Sequence, residues 1–167
     1  MDLSSEFKII KFNGSLSNST LENLYLLNQE NTPEVGSIKN AEYFASLLDK
    51  SSINLLIVYK NQPIGFVICF RENLEYESLN YKFFNESKKN FLYIDRVVIN
   101  SIYRRMGLGT MMYKYLDGVA GKDILPICCE VNSVPRNEIS INFHIKNGFK
   151  EVGQKDFEDH SVIYYIK

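Results

Sequence analysis

Residues 93–116 read YIDRVVINSIYRRMGLGTMMYKYL. The stretch opens as a strand, with Tyr93, Ile94, Val97, Val98 and Ile99 forming a β-branched and aromatic run around two charges, Asp95 and Arg96. Asn100 and Ser101 turn the chain, and Arg104, Arg105, Met106, Gly107, Leu108 and Gly109 follow. An amphipathic helix then carries Met111, Met112, Tyr115, Leu116 and Val119 as its expected apolar face. A strand, a short turn with arginines and two spaced glycines, then a helix start is a device for holding phosphate. The helix N-terminus leaves backbone N–H groups unpaired and carries partial positive charge. Glycines remove the side chains that would keep a bulky anion away from those amides.

Three phosphate-binding patterns compete for this stretch. A Walker loop needs Gly-Lys-Ser/Thr at its end, and Gly109 is followed by Thr110 with no lysine. A dinucleotide fingerprint needs a third glycine where Met112 stands, and an acid at the end of a second parallel strand, whereas Glu130 falls inside the next strand. What remains is R-x-x-G-x-G after a strand, which resembles the pyrophosphate-binding motif of the GNAT superfamily of N-acetyltransferases. The resemblance implies acetyl-CoA as cosubstrate. Its pyrophosphate would be met by backbone N–H groups from Arg105 through Thr110, with the Arg104 and Arg105 side chains at the periphery. Its pantetheine arm would hydrogen-bond to Val97, Val98 and Ile99 like an added strand.

The chain of 167 residues suits one core, so residues 1–167 are expected to form a single domain. A 45% hydrophobic and 23% charged composition is that of a globular protein. A net charge of −1 leaves no electrostatic footprint for nucleic acid, and no apolar run reaches the length of a membrane span. MDLSSEFKII lacks a basic region followed by a long apolar run, so no signal peptide is expected. The sequons at Asn13, Asn18 and Asn85 then read as chance. Cys69, Cys128 and Cys129 are odd in number, and two are adjacent in a strand where neighbours face opposite ways. They read as buried reduced thiols of a cytoplasmic protein, with no metal site.

Along the chain, 7–12 reads as a strand closed by Asn13-Gly14. Ser19 or Thr20 caps a helix through Leu21, Leu24, Tyr25 and Leu27, and 31–36 breaks it. A second helix over 40–50 presents Tyr43, Phe44, Leu47 and Leu48. Strands 53–59 and 64–70 form a hairpin joined by residues 60–63. Residues 73–90 read as a long irregular connection with five aromatic or apolar residues, either a surface loop or a substrate-facing lid. Strand 125–132, helix 138–147 ended by Gly148, and strands 149–154 and 162–166 complete the order β-α-α-β-β-β-α-β-α-β-β. This α/β order, a mixed central sheet with helices on its faces, matches the GNAT fold.

The segment Cys129-Glu130-Val131-Asn132, followed by Asn137, Ser140, Phe143-His144 and Gly148-Phe149, carries a second resemblance to GNAT enzymes. The spacing N-x-x-(small)-x-x-(aromatic)-Tyr-x-x-x-Gly-Phe is kept, except that His144 stands at the tyrosine. The C-E-V-N…F-H…G-F wording resembles a less characterised GNAT branch. Acetyl transfer to an amine needs a neutral amine, a stabilised oxyanion and a proton for the departing thiolate. Glu130, a carboxylate in an apolar strand, reads either as general base or as half of an ion pair, for instance with Arg96. Asp95 is a second candidate base, or the partner of a neighbouring arginine. His144 reads either as the acid for the thiolate, directly or through water, or as a polar residue lining the cleft. Asn137 reads as a helix N-cap, and the resemblance adds contact with the CoA arm. The oxyanion would meet a backbone N–H at Val98 or Ile99.

The expected function is therefore acetyl transfer from acetyl-CoA to a primary amine, on a small molecule or a peptide. The alternative is a GNAT-fold sensor or scaffold that binds acyl-CoA without turnover. The acceptor pocket is expected from residues 31–36, 73–90 and 157–161. No sequence feature decides between monomer and homodimer.

Overall fold

The computed structural model describes residues 6–13 and 15–167. Gly14, and with it the expected Asn13-Gly14 turn and the first sequon, lies outside the described residues, as does the start of the N-terminal segment. The elements are β1 (Phe7–Phe12), α1 (Asn18–Gln29), α2 (Ala41–Lys50), β2 (Ile53–Tyr59), β3 (Gln62–Arg71), α3 (Leu79–Ser87), β4 (Leu92–Ile99), a 3-10 turn (Ser101–Tyr103), α4 (Leu108–Asp123), β5 (Ile127–Val134), α5 (Glu138–Lys146), β6 (Lys150–Asp156) and β7 (Ser161–Ile166). The seven strands are hydrogen-bonded in the order β1-β2-β3-β4-β5-β7-β6, a mixed sheet. The expected α/β order is present, with one helix added.

That helix is α3. Residues 79–87 are helical, capped by the Ser78 side chain, which accepts from the Tyr81 N–H. The irregular connection expected over 73–90 is thus corrected. Its apolar residues at 79, 81 and 83 alternate like a strand, but Leu79 is exposed, and Tyr81 and Phe84, three apart, are the ones buried. Smaller corrections have local causes. Helix α1 is capped by Ser17 rather than Ser19 or Thr20, its hydroxyl accepting from the Thr20 N–H at 3.2 Å. The β2–β3 hairpin turns on two residues, Lys60 (φ 48°) and Asn61 (φ 62°), with Tyr59 paired to Gln62. Two consecutive positive φ values are what a tight hairpin turn requires. On α2 Tyr43 is exposed while Phe44, Leu47 and Leu48 are buried, and on α4 the buried face is Leu108, Met112, Tyr113, Leu116 and Ala120.

By contacts the chain divides into two compact units, Met1–Phe70 with Asp95–Leu116, and Arg71–Ile94 with Asp117–Lys167. In the first, β1, β2 and β3 run antiparallel, and a register shift after Ile57 leaves Ile64 as an extra residue on β3. The Ile64 carbonyl accepts the Asn100 N–H at 2.8 Å, tying the bulge to the end of β4. In the second, Leu92 and Tyr93 pair in parallel with Ile127 and Cys128, while β7 runs antiparallel to both β5 and β6. The three cysteines are buried thiols outside any disulfide, and burial raises the Cys128 thiol to about 12. No described helix is long and apolar enough to cross a membrane.

Candidate active site

The turn after β4, where the sequence places the phosphate-holding residues, lies wholly within the first unit. Asn100 accepts the Ile102 N–H at 3.1 Å and starts the 3-10 turn. Arg105 (φ 62°) and Gly107 (φ 79°) then take left-handed backbone conformations. A side chain at φ 62° costs about 1–2 kcal/mol, and such strain gathers at functional turns. The first intrahelical bond of α4 is Met111 N–H to Gly107 O at 3.0 Å. The amides of residues 107–110 therefore precede the helix's own hydrogen-bonding pattern, and the dipole adds positive character there. A side chain placed on Gly107 would meet no neighbour within 4 Å, so the approach is open. Residues 104–110 thus meet in one turn, with the Arg104, Arg105 and Met106 side chains exposed. The Arg104 guanidinium donates to Asn31 Oδ1 and to the Ile99 carbonyl.

In β4, Val98 is buried while Val97 and Ile99 are half-buried. The carboxylate of Asp95 and the guanidinium of Arg96 pair at 2.8 Å, with side chains only 4% and 9% exposed. Arg96 also donates to Asn28 Oδ1 at 2.9 Å and to the Gly36 carbonyl at 3.2 Å, so it braces the α1–α2 connection. Gln29 holds that connection too, accepting from the Ile38 N–H and donating to Ser37.

The second unit contains Glu130, Asn137 and His144. Glu130 lies midway along β5, between buried Cys129 and Val131. Its Oε2 accepts from the Tyr93 hydroxyl at 2.8 Å and its Oε1 from Asn80 Nδ2 at 3.2 Å. Burial and then the charge of Glu130 push the Tyr164 phenol up to about 12, so that hydroxyl keeps its proton. Asn137 caps α5, accepting from the Ser140 N–H at 3.2 Å. His144 is buried, stacked on Tyr165 at 5.9 Å and set edge-on to Phe149. Its Nδ1 lies 2.7 Å from the Ser140 carbonyl, which can only accept, so Nδ1 carries the hydrogen. Burial lowers its pKa below the usual histidine value, outweighing the Ser140 bond, and the ring is neutral.

Two of these groups escaped the sequence reading. Tyr93 counted there only as a strand residue, although its pairing opposite Cys128 brings its hydroxyl to the carboxylate two residues along β5. Asn80 carried no signal, since its helix was not foreseen.

Residues 21–149 match the Acetyltransferase (GNAT) family, and the chain belongs to that family of N-acetyltransferases. A curated relative, described as "Probable N-acetyltransferase san" of Drosophila melanogaster, is 27% identical over 141 residues, covering 84% of this chain and 70% of that one. Among solved structures, Arabidopsis thaliana Naa50 in complex with the bisubstrate analogue CoA-Ac-MVNAL superposes with a TM-score of 0.69 at 20% identity, over 95% of this chain and 97% of its own. Arabidopsis thaliana NAA60 in complex with acetyl-CoA gives 0.70 at 16% identity, over 96% and 99%.

Proposed function

We propose that this chain moves an acetyl group from acetyl-CoA to a primary amine by direct transfer, with Glu130 as general base. The observation that carries this is the Glu130 carboxylate, set in a buried strand with a donor on each oxygen. Donors of this kind favour the charged form of a carboxylate, the form a general base needs. It would remove the proton of the attacking amine, directly or through one water. The amine nitrogen then bonds to the thioester carbonyl carbon, whose oxygen takes up the negative charge. A backbone N–H at Val98 or Ile99 would stabilise that oxyanion. Collapse re-forms the carbonyl, breaks the carbon–sulfur bond and releases a thiolate that must gain a proton.

The amides of residues 105–110 would hold the pyrophosphate, residues 97–99 the pantetheine arm, and Asn137 would join its cap to contact with the CoA arm. His144, neutral with its hydrogen on Nδ1, is suited to orient a water through Nε2 rather than give up a proton itself. Asp95 remains the second candidate base, and its pairing with Arg96 favours a supporting part. A peptide amine is the acceptor class this reading favours, on the strength of the acetyl-peptide conjugate bound by Naa50. Residues 1–167 as one domain are part of the proposal, since the family match includes residues of both units. So is a cytoplasmic location, supported by three buried thiols that form no disulfide.

The test is thiol release from acetyl-CoA over a panel of amines that includes peptides with free N-termini. Glu130→Gln should lower turnover by about 10²-fold or more while sparing CoA affinity. Unchanged turnover removes Glu130 as base, and CoA binding without release from any amine supports the sensor instead.

A further inference from the structure

Helix α3 carries a polar side chain that no motif in the sequence accounts for. Asn80, in its first turn, reaches β5 and β7 of the same unit. Its Nδ2 donates to Glu130 Oε1 at 3.2 Å, and its Oδ1 accepts from the Tyr164 hydroxyl at 2.9 Å. One amide thus receives a hydrogen bond from Tyr164 and passes one to the carboxylate. With Tyr93 on Oε2, each carboxylate oxygen has its own donor.

The helix that delivers Asn80 is held from several sides. Phe83 stacks on the Tyr164 ring at 4.0 Å and 14°, and comes 3.1 Å from where a Cβ on Gly153 would stand. Tyr81 donates to the Arg71 carbonyl at 2.8 Å and accepts from the Leu74 N–H at 2.8 Å. Phe84 is fully buried beside Tyr93 and Tyr164. Turning the Asn80 amide over would set its carbonyl against the carboxylate, which can only accept, so the carboxylate fixes the amide's orientation.

We infer that Asn80 is a positioning residue for Glu130, and that through it α3 holds the base in one ionised orientation. The inference rests on Glu130 acting as base. A donor at this distance stabilises the charged carboxylate, so removing it raises the pH at which Glu130 gains its proton.

The test is a ¹³C NMR titration of the Glu130 carboxyl carbon in the full chain, its signal assigned by its loss in Glu130→Gln. Asn80→Leu should move the midpoint up by about one pH unit. Tyr164→Phe removes only a hydroxyl and keeps the ring on Phe83, and should move it up by less. Midpoints unchanged in both variants overturn the inference. Where Asn80→Leu does not fold, Tyr164→Phe decides alone: a higher midpoint supports the role and an unchanged one overturns it. Failure of the base itself reads differently, because Glu130→Gln would then release thiol from acetyl-CoA at the wild-type rate with the amine panel, whatever the midpoints do.

Discussion

Gly65 offers a quantitative test of how β3 shapes the strand that carries residues 97–99. A Cβ added there would stand 2.7 Å from the Val98 carbonyl oxygen and 3.4 Å from the Ile99 Cα. The first distance falls about 0.7 Å short of ordinary contact at 3.4 Å, and both obstacles are backbone. A flexible side chain could rotate away, but here two hydrogen-bonded strands must part, beside the bulge where Ile64 holds the Asn100 N–H. Overpacking of this kind costs about 1–3 kcal/mol, and Gly65→Ala should lie in the upper half of that range. The same substitution at Gly118, exposed within α4 with nothing within 4 Å of its Cβ position, should stabilise by up to about 1 kcal/mol. Urea denaturation of both variants measures the contrast. Because the displaced atoms belong to Val98 and Ile99, Gly65→Ala should also weaken CoA binding by calorimetry, while Gly118→Ala should not. A Gly65→Ala protein with the wild-type midpoint and affinity would refute the close approach and its bearing on β4.

Three further outcomes follow from single residues. Ile124 ends α4 at φ 54° and is 91% exposed, so its β-branched side chain adds strain without burial; Ile124→Gly should raise the melting temperature by about 3 °C. Arg96→Met removes the 2.8 Å ion pair from the Asp95 carboxylate and should cost about 3 kcal/mol in urea denaturation, with part of the loss recovered in the Arg96→Met, Asp95→Asn double variant. His144 has a folded pKa below its ordinary 6.5, so between the two values the unfolded chain binds a proton the folded chain does not. Its contribution is therefore complete above about pH 6.5 and is lost as pH falls toward the folded value; His144→Phe should shrink the drop in urea midpoint between pH 8 and pH 5.

The parts of this protein that were legible in its sequence are those where one residue type has one physical use. Gly148 (φ 87°) announces a helix end and Asn137 a helix cap, and each takes that conformation or bond. The turn of residues 104–110 could be read because its glycines fall between a β-branched run and an amphipathic stretch, and a strand and a helix do flank it. Helix α3 could not, since Leu79, Tyr81 and Phe83 alternate like strand residues while its buried pair, Tyr81 and Phe84, is diluted by polar neighbours. The cap of α1 was misplaced because 17–20 offers four side chains able to accept from a backbone N–H, and local sequence does not rank them. At the site, Glu130 was visible as a carboxylate among apolar neighbours. Its donors Tyr93 and Asn80, and the Tyr164 hydroxyl behind Asn80, were not, because these bonds join residues 37 to 84 positions apart and only the folded sheet and α3 bring them together.

The most direct test of the central claim is calorimetric titration of acetyl-CoA into the full chain and into Gly107→Val, where φ 79° disfavours any side chain. Saturable binding to the wild type, much weakened in the variant, is the result expected if the turn of residues 104–110 holds the cosubstrate. A wild-type protein that takes up no acetyl-CoA would contradict the claim, and the proposed transfer reaction would fall with it.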